Sequence, residues 1–225
     1  EYGGFRYLPK PVENQRLVEV VKEAAMQHRI SLLKRKALEI CEAGGWLLQD
    51  LAQLEERFEH ALECLWIAYQ PIVVWPAERV YGYEALVRSF DPDLPRPGML
   101  FDAAERLGRV QDLGQRIRDA VAESAASAPP GSLIFTNLHA LDLTNDALYS
   151  SSSALAGIAG QVVLEVTERA SLHRIDDLKD RMRRLRDLGF RIAVDDLGAG
   201  YSGLSSFAQL EPDVAKLDMS LIRDI

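Results

Sequence analysis

The sequence predicts an α/β fold in which a mostly parallel sheet is covered by helices. From Trp66 onward the chain contains short apolar runs that each stop at a polar residue, and stretches with helical spacing separate these runs. Nearly continuous apolar runs are typical of strands that are buried on both faces, as in parallel sheets between helices. Strands are therefore predicted over residues 67–74, 80–87, 132–138, 162–167, 191–196 and 214–217.

Helical patterns fill the intervals and the region before the first strand. Residues 12–42 carry apolar positions mostly three or four apart. The pair Gly44-Gly45 should end that helix, because each glycine in a helix costs roughly 1 kcal/mol relative to alanine. Two further helices are predicted over 101–124 and 175–188, with Gly189 ending the second as a C-cap.

The segment 43–65 is predicted to be a linker helix with an apolar seam. The seam residues follow at alternating steps of four and three: Leu47, Leu51, Leu54, Phe58, Ala61 and Leu65. A period of 3.5 residues suits a partner helix, which leaves a homodimer open. Because fewer than three heptads are present, we favour packing of the seam against the following domain.

Charge and composition exclude several classes of function. The chain has 225 residues, 48% of them hydrophobic, and a net charge of −8, so it offers no basic field for a polymeric nucleic acid. Cys41 and Cys64 lack the spacing of a disulfide framework or a zinc site, which indicates a reducing compartment. No apolar run approaches the roughly 20 residues that span a bilayer. We therefore expect a cytoplasmic location and no membrane partner.

Potential metal ligands stand near the carboxyl ends of the predicted strands. They are Glu84, Asn137, Glu165 and the pair Asp195-Asp196, and Lys216 lies on the last strand. In a β/α barrel the carboxyl ends of several strands build one site. Four carboxylates would repel each other without cations, and an all-oxygen set suits Mg²⁺ or Mn²⁺. Two adjacent carboxylates could serve two ions about 3.5–4 Å apart, an arrangement that cleaves phosphoesters.

Each of these residues has a simpler explanation when it is taken alone. Glu84 could be a surface carboxylate, Asn137 could cap its strand, and Lys216 could be solvated. We interpret His139 as a satisfied loop histidine rather than a ligand. The shared position at strand ends favours one common site for the set.

Six motifs in order resemble those of EAL domains, which are bacterial cyclic di-GMP phosphodiesterases. The resemblance covers about residues 66–225. The motifs are Tyr69-Gln70-Pro71-Ile72, Tyr83-Glu84-Ala85-Leu86-Val87-Arg88, Thr136-Asn137-Leu138, Leu164-Glu165-Val166-Thr167-Glu168, Asp195-Asp196-Leu197-Gly198-Ala199-Gly200-Tyr201-Ser202 and Lys216-Leu217-Asp218. The resemblance implies a TIM-like (β/α)8 barrel whose first strand runs antiparallel to the others.

The resemblance also implies a metal set. A first metal would be bound by Glu84, Asn137, Glu165 and Asp195. Asp196 would bind the second metal.

Other residues acquire their roles from the same resemblance. Lys216 would contact the catalytic water, and Arg88, Gln70 and Leu86 would hold the substrate. Glu168 would anchor the loop 197–204.

Some positions depart from the family pattern. Leu197 stands where phenylalanine is usual, and His139 stands where serine is usual. Neither position is a metal ligand, so we expect tuned rather than abolished activity. The family's last two barrel strands, with a further glutamate and a glutamine, are expected beyond residue 225, which makes this barrel incomplete at its C-terminus.

The first 42 residues resemble the end of a response-regulator receiver domain. Gly3 to Pro11 matches its last strand, with Lys10-Pro11 at the phosphoryl site and Tyr7 at the switch aromatic. The expected organisation is therefore a receiver strand and helix over 1–42, a linker helix over 43–65 and an EAL domain over 66–225. A sensor kinase is the expected partner of the intact receiver.

The leading hypothesis is metal-dependent hydrolysis of cyclic di-GMP to pGpG under receiver control. The alternative of another class is a non-catalytic cyclic di-GMP receptor or signalling scaffold, which would bind without turnover. A third hypothesis, independent of the resemblance, is a metal-dependent lyase or isomerase that acts on a phosphorylated metabolite.

Overall fold

The computed structural model describes residues 50–167, 172, 175–198 and 210–221. The unit Leu54–Ile225 separates from Glu1–Gln53 and is described by itself. The predicted receiver segment 1–42, Glu168 and the loop from residue 199 to 204 lie outside the described residues. Within the described ranges, no helix combines the length and the apolar character needed to cross a bilayer.

Six strands form one sheet in the order β1-β2-β3-β4-β5-β6. The first pair is antiparallel and every later pair is parallel, which confirms the strand reversal implied by the resemblance. All six predicted strands are present within two residues of their expected bounds. They are β1 Leu65–Val74, β2 Arg79–Ser89, β3 Leu133–Asn137, β4 Val162–Thr167, β5 Arg191–Leu197 and β6 Val214–Leu217.

Helices cover one face of this sheet. They are α1 over residues 50–63, α2 Pro97–Leu107, α3 Val110–Ala125 and α4 Leu178–Asp187. Short 3₁₀ turns follow β3 and precede β4, at Ala140–Thr144, Asp146–Tyr149 and Ala156–Gln161, and another lies at Met219–Leu221.

The prediction of one helix over 101–124 is wrong, because Gly108 ends α2. Its φ of 67° is left-handed, and its N–H donates to the carbonyl of Glu105 at 3.1 Å. Glycine adopts this conformation without the steric cost of a Cβ, so the chain turns there and α3 starts anew. Gly189 closes α4 in the predicted way, with φ 101° and an N–H bond to the carbonyl of Arg186.

The seam of the linker helix packs on the barrel. Phe58 and Ala61 are fully buried and belong to the main apolar core. Leu65 is also buried, but it begins β1, so its assignment to the helix is corrected. The helix ends at residue 63 because the next residues pair with β2 instead. This packing supports the favoured interpretation of the seam.

Alternation along the strands separates two faces of the sheet. Ile134, Leu164 and Val194 point into the main core beneath the helices. The opposite, inner face carries a small apolar cluster that includes Phe135 and Val163. Since successive side chains alternate between the faces, the residues two positions further along these strands share the inner face. Alternation along the strands therefore brings Asn137, Glu165 and Asp195 to one face of the sheet.

Candidate metal centre

Three carboxylates from three strands meet on the inner face. Glu84 lies on β2, Glu165 on β4 and Asp195 on β5, and one oxygen of each lies within 4.8 Å of the others. Their strands are held in register by the parallel ladder, in which Asn137 pairs with Glu165 and Thr167 pairs with Asp195. The predicted convergence of these carboxylates is thus present in the fold.

Lys216 of β6 is the shared counter-ion of the carboxylates. Its Nζ lies 2.8 Å from Glu165 Oε1, 3.1 Å from Asp195 Oδ2 and 3.6 Å from Glu84 Oε1. Burial alone would lower the pKa of Lys216, but the bonds to Glu165 and Asp195 outweigh burial and raise it to about 12. The side chain is therefore a fixed positive charge. The alternative that Lys216 is a solvated surface lysine is wrong, because only 26% of its side chain is exposed.

Glu165 is the most unusual member of the cluster. Its side chain is fully buried, and neither carboxylate oxygen has a partner in hydrogen-bonding geometry, although the ammonium of Lys216 approaches Oε1. Burial raises the pKa of Glu165 from its ordinary 4.5 to about 7, with Lys216 opposing the rise and the charges of Glu84 and Asp195 adding to it. A buried oxygen without a donor is expensive unless another ligand binds it. Such oxygens fit a divalent cation, which takes carboxylate and amide oxygens.

Asp196 leaves the regular course of β5. Its backbone is left-handed, with φ 56°, and the ladder to β6 shifts register between Val194 and Leu197. Its side chain is exposed, while its N–H donates to Asp195 Oδ1 at 2.9 Å. Asp196 lies outside the three-carboxylate group.

The predicted substrate residues lie on β1 and β2, and β2 also carries Glu84. Gln70 is exposed and pairs in register with Glu84. Leu86 and Arg88 share the face of Glu84 by alternation and are half-buried. Nη1 of Arg88 donates to the carbonyl of Val87 at 2.8 Å.

A cavity of about 630 Å³ lies at the carboxyl ends of β2 and β3. Leu86 and Asn137, both predicted site residues, belong to its wall. Its remaining wall is mostly apolar and comes from β2, α2, α3, the segment after β3, the end of β4 and the region before α4: Ala85, Val87, Pro97, Phe101, Glu105, Ile117, Leu138, His139, Ala140, Leu141, Thr144, Thr167 and Ile175.

Phe101 and Glu105 are among the wall residues that were not predicted as site residues from the sequence. Phe101 and Glu105 on α2 both approach His139: the Phe101 and His139 rings stack at 6.1 Å, and Glu105 Oε1 lies 3.7 Å from His139 Nε2. His139 Nδ1 accepts the N–H of Leu141, so the interpretation of His139 as a satisfied loop residue agrees with the structure. The spacing of Phe101 and Glu105 four residues apart on an amphipathic helix was the available signal.

The pattern of strands and carboxylates matches one protein family. The EAL domain family model covers residues 52–225. This chain belongs to the EAL family. The EAL domain includes the three carboxylates, Lys216 and the wall of the cavity.

Curated relatives and solved structures agree with this assignment. The cyclic di-GMP phosphodiesterase NbdA of Pseudomonas aeruginosa is 32% identical over 197 residues, which cover 77% of this chain and 24% of NbdA. The probable cyclic di-GMP phosphodiesterase PdeG of Escherichia coli is 32% identical over 164 residues, which cover 68% of this chain and 32% of PdeG. The chain thus spans a third or less of these relatives.

A solved structure extends the comparison to the fold. BlrP1 of Klebsiella pneumoniae, in a complex with manganese and cyclic di-GMP, is 32% identical, and the match covers 72% of this chain and 42% of BlrP1 with a TM-score of 0.62. The EAL domain described here is accordingly a TIM-like barrel fold with an antiparallel first strand.

Proposed function

We propose that this EAL domain hydrolyses cyclic di-GMP to pGpG with the help of Mg²⁺ or Mn²⁺. The observation that carries the proposal is the convergence of Glu84, Glu165 and Asp195, whose oxygens lie within 4.8 Å of one another and which include the fully buried carboxylate of Glu165. Membership of the EAL family and relatives named cyclic di-GMP phosphodiesterases supply the substrate.

The chain offers ligands for two cations. Glu84, Glu165 and Asp195, with Asn137, would hold the first cation, and Asp196 would hold the second. Bound cations would lower the pKa of a water molecule and neutralise charge on the phosphodiester in the transition state.

The protein groups orient the substrate and the water. Lys216 remains protonated between Glu165 and Asp195, so it can donate hydrogen bonds to the attacking water but cannot serve as its base. Arg88 can turn its guanidinium from the Val87 carbonyl to a phosphate of the substrate, to which it would donate two parallel hydrogen bonds. The apolar cavity beside Leu86 has room for a base of the dinucleotide.

The carboxylate cluster favours an enzyme over a non-catalytic receptor. A receptor that holds a nucleotide by hydrogen bonds and stacking has no need of three clustered carboxylates, which would repel an anionic ligand. Burial of the Glu165 carboxylate lowers the stability of the fold, and destabilising groups of this kind cluster at functional sites. The proposal further includes receiver control through residues 1–42, a sensor kinase partner and a homodimer.

Hydrolysis by the 225-residue chain tests this function directly. Cyclic di-GMP is incubated with the chain and Mg²⁺ or Mn²⁺, and pGpG is followed by chromatography. We expect conversion that Asp196→Ala abolishes and that Asp187→Ala, at an exposed carboxylate on α4, leaves unchanged. Full activity in Asp196→Ala would refute the role of that residue, and binding of cyclic di-GMP without conversion would favour the receptor.

A further inference from the structure

A buried ion pair outside the carboxylate cluster fixes the segment after β3. Arg118 on α3 places Nη1 2.9 Å from Oδ1 of Asp142, which lies in the 3₁₀ turn Ala140–Thr144. The two side chains are only 4% and 2% exposed. Apolar residues can often replace such a pair without loss of stability, because burial of two charges offsets much of their attraction. Stability alone therefore gives little reason for the pair.

The Asp142 carboxylate determines the backbone conformation directly after Asn137. Its Oδ2 accepts the N–H of His139 at 3.2 Å, and its own N–H donates to the carbonyl of His139 at 2.9 Å. The ring of His139 accepts the N–H of Leu141 at 3.1 Å and completes the cap. The residue two positions beyond Asn137 is thus held by the aspartate side chain.

Helix α3 is adapted to receive this aspartate. Gly114 faces the carboxylate, and a Cβ at this position would overlap it. Glycine inside a helix is less favourable than alanine, so the space for Asp142 lowers the intrinsic stability of α3. Arg118 is itself held by Gln115, whose Oε1 accepts Nη2 at 3.2 Å. Three positions on α3 therefore define where the turn after β3 can lie.

The segment fixed in this way carries a predicted cation ligand and one wall of the cavity. Asn137 is the last residue of β3, and its register partner on β4 is Glu165. Six residues of the segment line the cavity: Asn137, Leu138, His139, Ala140, Leu141 and Thr144. A displaced turn would move Asn137 relative to the carboxylates, since only two residues separate it from Ala140.

We propose that Arg118 and Asp142 are positioning residues for Asn137: their ion pair sets the course of the chain after β3 and thereby places the Asn137 amide beside Glu165 in the cation site. This inference rests on the proposed function, because it assumes that Asn137 is a cation ligand. Neither residue touches the substrate, and their effect is transmitted through the turn. Partners that orient metal ligands typically change metal affinity 10- to 100-fold when they are mutated.

The experiment measures Mn²⁺ binding to the 225-residue chain by calorimetric titration, without substrate. The variant R118M/D142A removes both charges together, so that no unpaired buried charge remains. We expect Mn²⁺ affinity to fall about tenfold while the midpoint of chemical unfolding in EDTA stays near that of the wild type. Arg118→Lys, which keeps the charge, should retain most of the affinity.

A second background shows whether the effect passes through Asn137. In a chain that carries Asn137→Ala, the same double substitution should cause no further loss of Mn²⁺ affinity. Should R118M/D142A fail to fold, R118M/D142N keeps an acceptor for the His139 N–H, and a loss of at least about threefold is expected from it.

The outcomes separate this inference from the proposed function. Unchanged Mn²⁺ affinity in the double variant, or an equal loss in the Asn137→Ala background, would overturn the positioning role and leave the cation site intact. If the wild-type chain binds no Mn²⁺, the cation site itself is wrong, and the positioning role is overturned with it.

Discussion

Replacing Glu165 with glutamine should stabilise the metal-free protein and abolish its function. The glutamine has the shape of the protonated acid but does not titrate. In the unfolded chain the carboxyl loses its proton near its ordinary pKa of 4.5, whereas in the folded protein burial keeps the proton until about pH 7. As pH rises from 4.5 to 7, the wild type therefore loses stability that the variant keeps.

The magnitude follows from the two pKa values. At about 1.4 kcal/mol per pH unit, the displacement from 4.5 to about 7 destabilises the wild type by about 3 kcal/mol at pH 8 and by less than about 1 kcal/mol at pH 5. For a domain of this size, 1 kcal/mol corresponds to about 2–4 °C in Tm. We expect the Glu165→Gln variant to melt roughly 6–12 °C above the wild type at pH 8 in EDTA, with a smaller difference at pH 5.

Thermal unfolding at the two pH values, with EDTA or with Mn²⁺, provides the assay. With Mn²⁺ the order should reverse, because only the wild type gains stability from binding. Glu84→Gln is the matched control: its side chain is 21% exposed, so its substitution should change the Tm in EDTA less. A Glu165→Gln variant no more stable than the wild type at pH 8 in EDTA, or one with the same advantage at pH 5, would refute the reasoning.

Two further predictions concern the charges around the barrel mouth. Lys216→Met should raise Mn²⁺ affinity at least about tenfold, because an ammonium about 3 Å from two of the carboxylates no longer competes with the cation, and it should lower hydrolysis. Lys179→Met, which replaces an exposed lysine on α4, is the control, and an unchanged Mn²⁺ titration of Lys216→Met would contradict the competition. Asp91→Ala should lower the free energy of unfolding by about 1–3 kcal/mol at pH 7, since the buried carboxylate pairs with His60 and accepts two backbone N–H groups. Burial alone would raise the pKa of Asp91, but these hydrogen bonds lower it below 3.8. The difference in unfolding free energy between the wild type and Asp91→Ala should therefore shrink as pH falls through 3.8. A constant difference in urea titrations from about pH 7 to about pH 3 would count against this account.

Local patterns predicted the sheet well and the helices less well. The strands were found because a buried parallel strand is a short apolar run, and this signal depends on neighbouring residues only. The predicted helix over 101–124 was wrong because apolar spacing continues through Gly108, while the left-handed turn there breaks the helix. The sequence Leu107-Gly108 after an amphipathic run was a C-cap signal that could have separated α2 from α3.

The candidate site was predictable as a set of residues but not as an arrangement. The position of Glu84, Asn137, Glu165 and Asp195 near strand ends indicated a shared edge of the sheet. The grouping of Glu84, Glu165 and Asp195 within 4.8 Å, without Asp196, depends on barrel curvature and on the left-handed backbone at Asp196. The role of Lys216 as a common counter-ion was likewise not readable, because a lysine on a short strand carries no signal of its partners.

The sequence by itself determined the order of the strands, the residue types at their carboxyl ends and the membership in a family, because these depend on local pattern and on motif order. Only the tertiary structure decided which carboxylates meet, that Glu165 is fully buried against the ammonium of Lys216, and that Arg118 reaches Asp142 across Gly114. Burial and cross-strand distance are set by residues far apart in the chain, and the pKa of a group follows from that surrounding rather than from its neighbours in sequence.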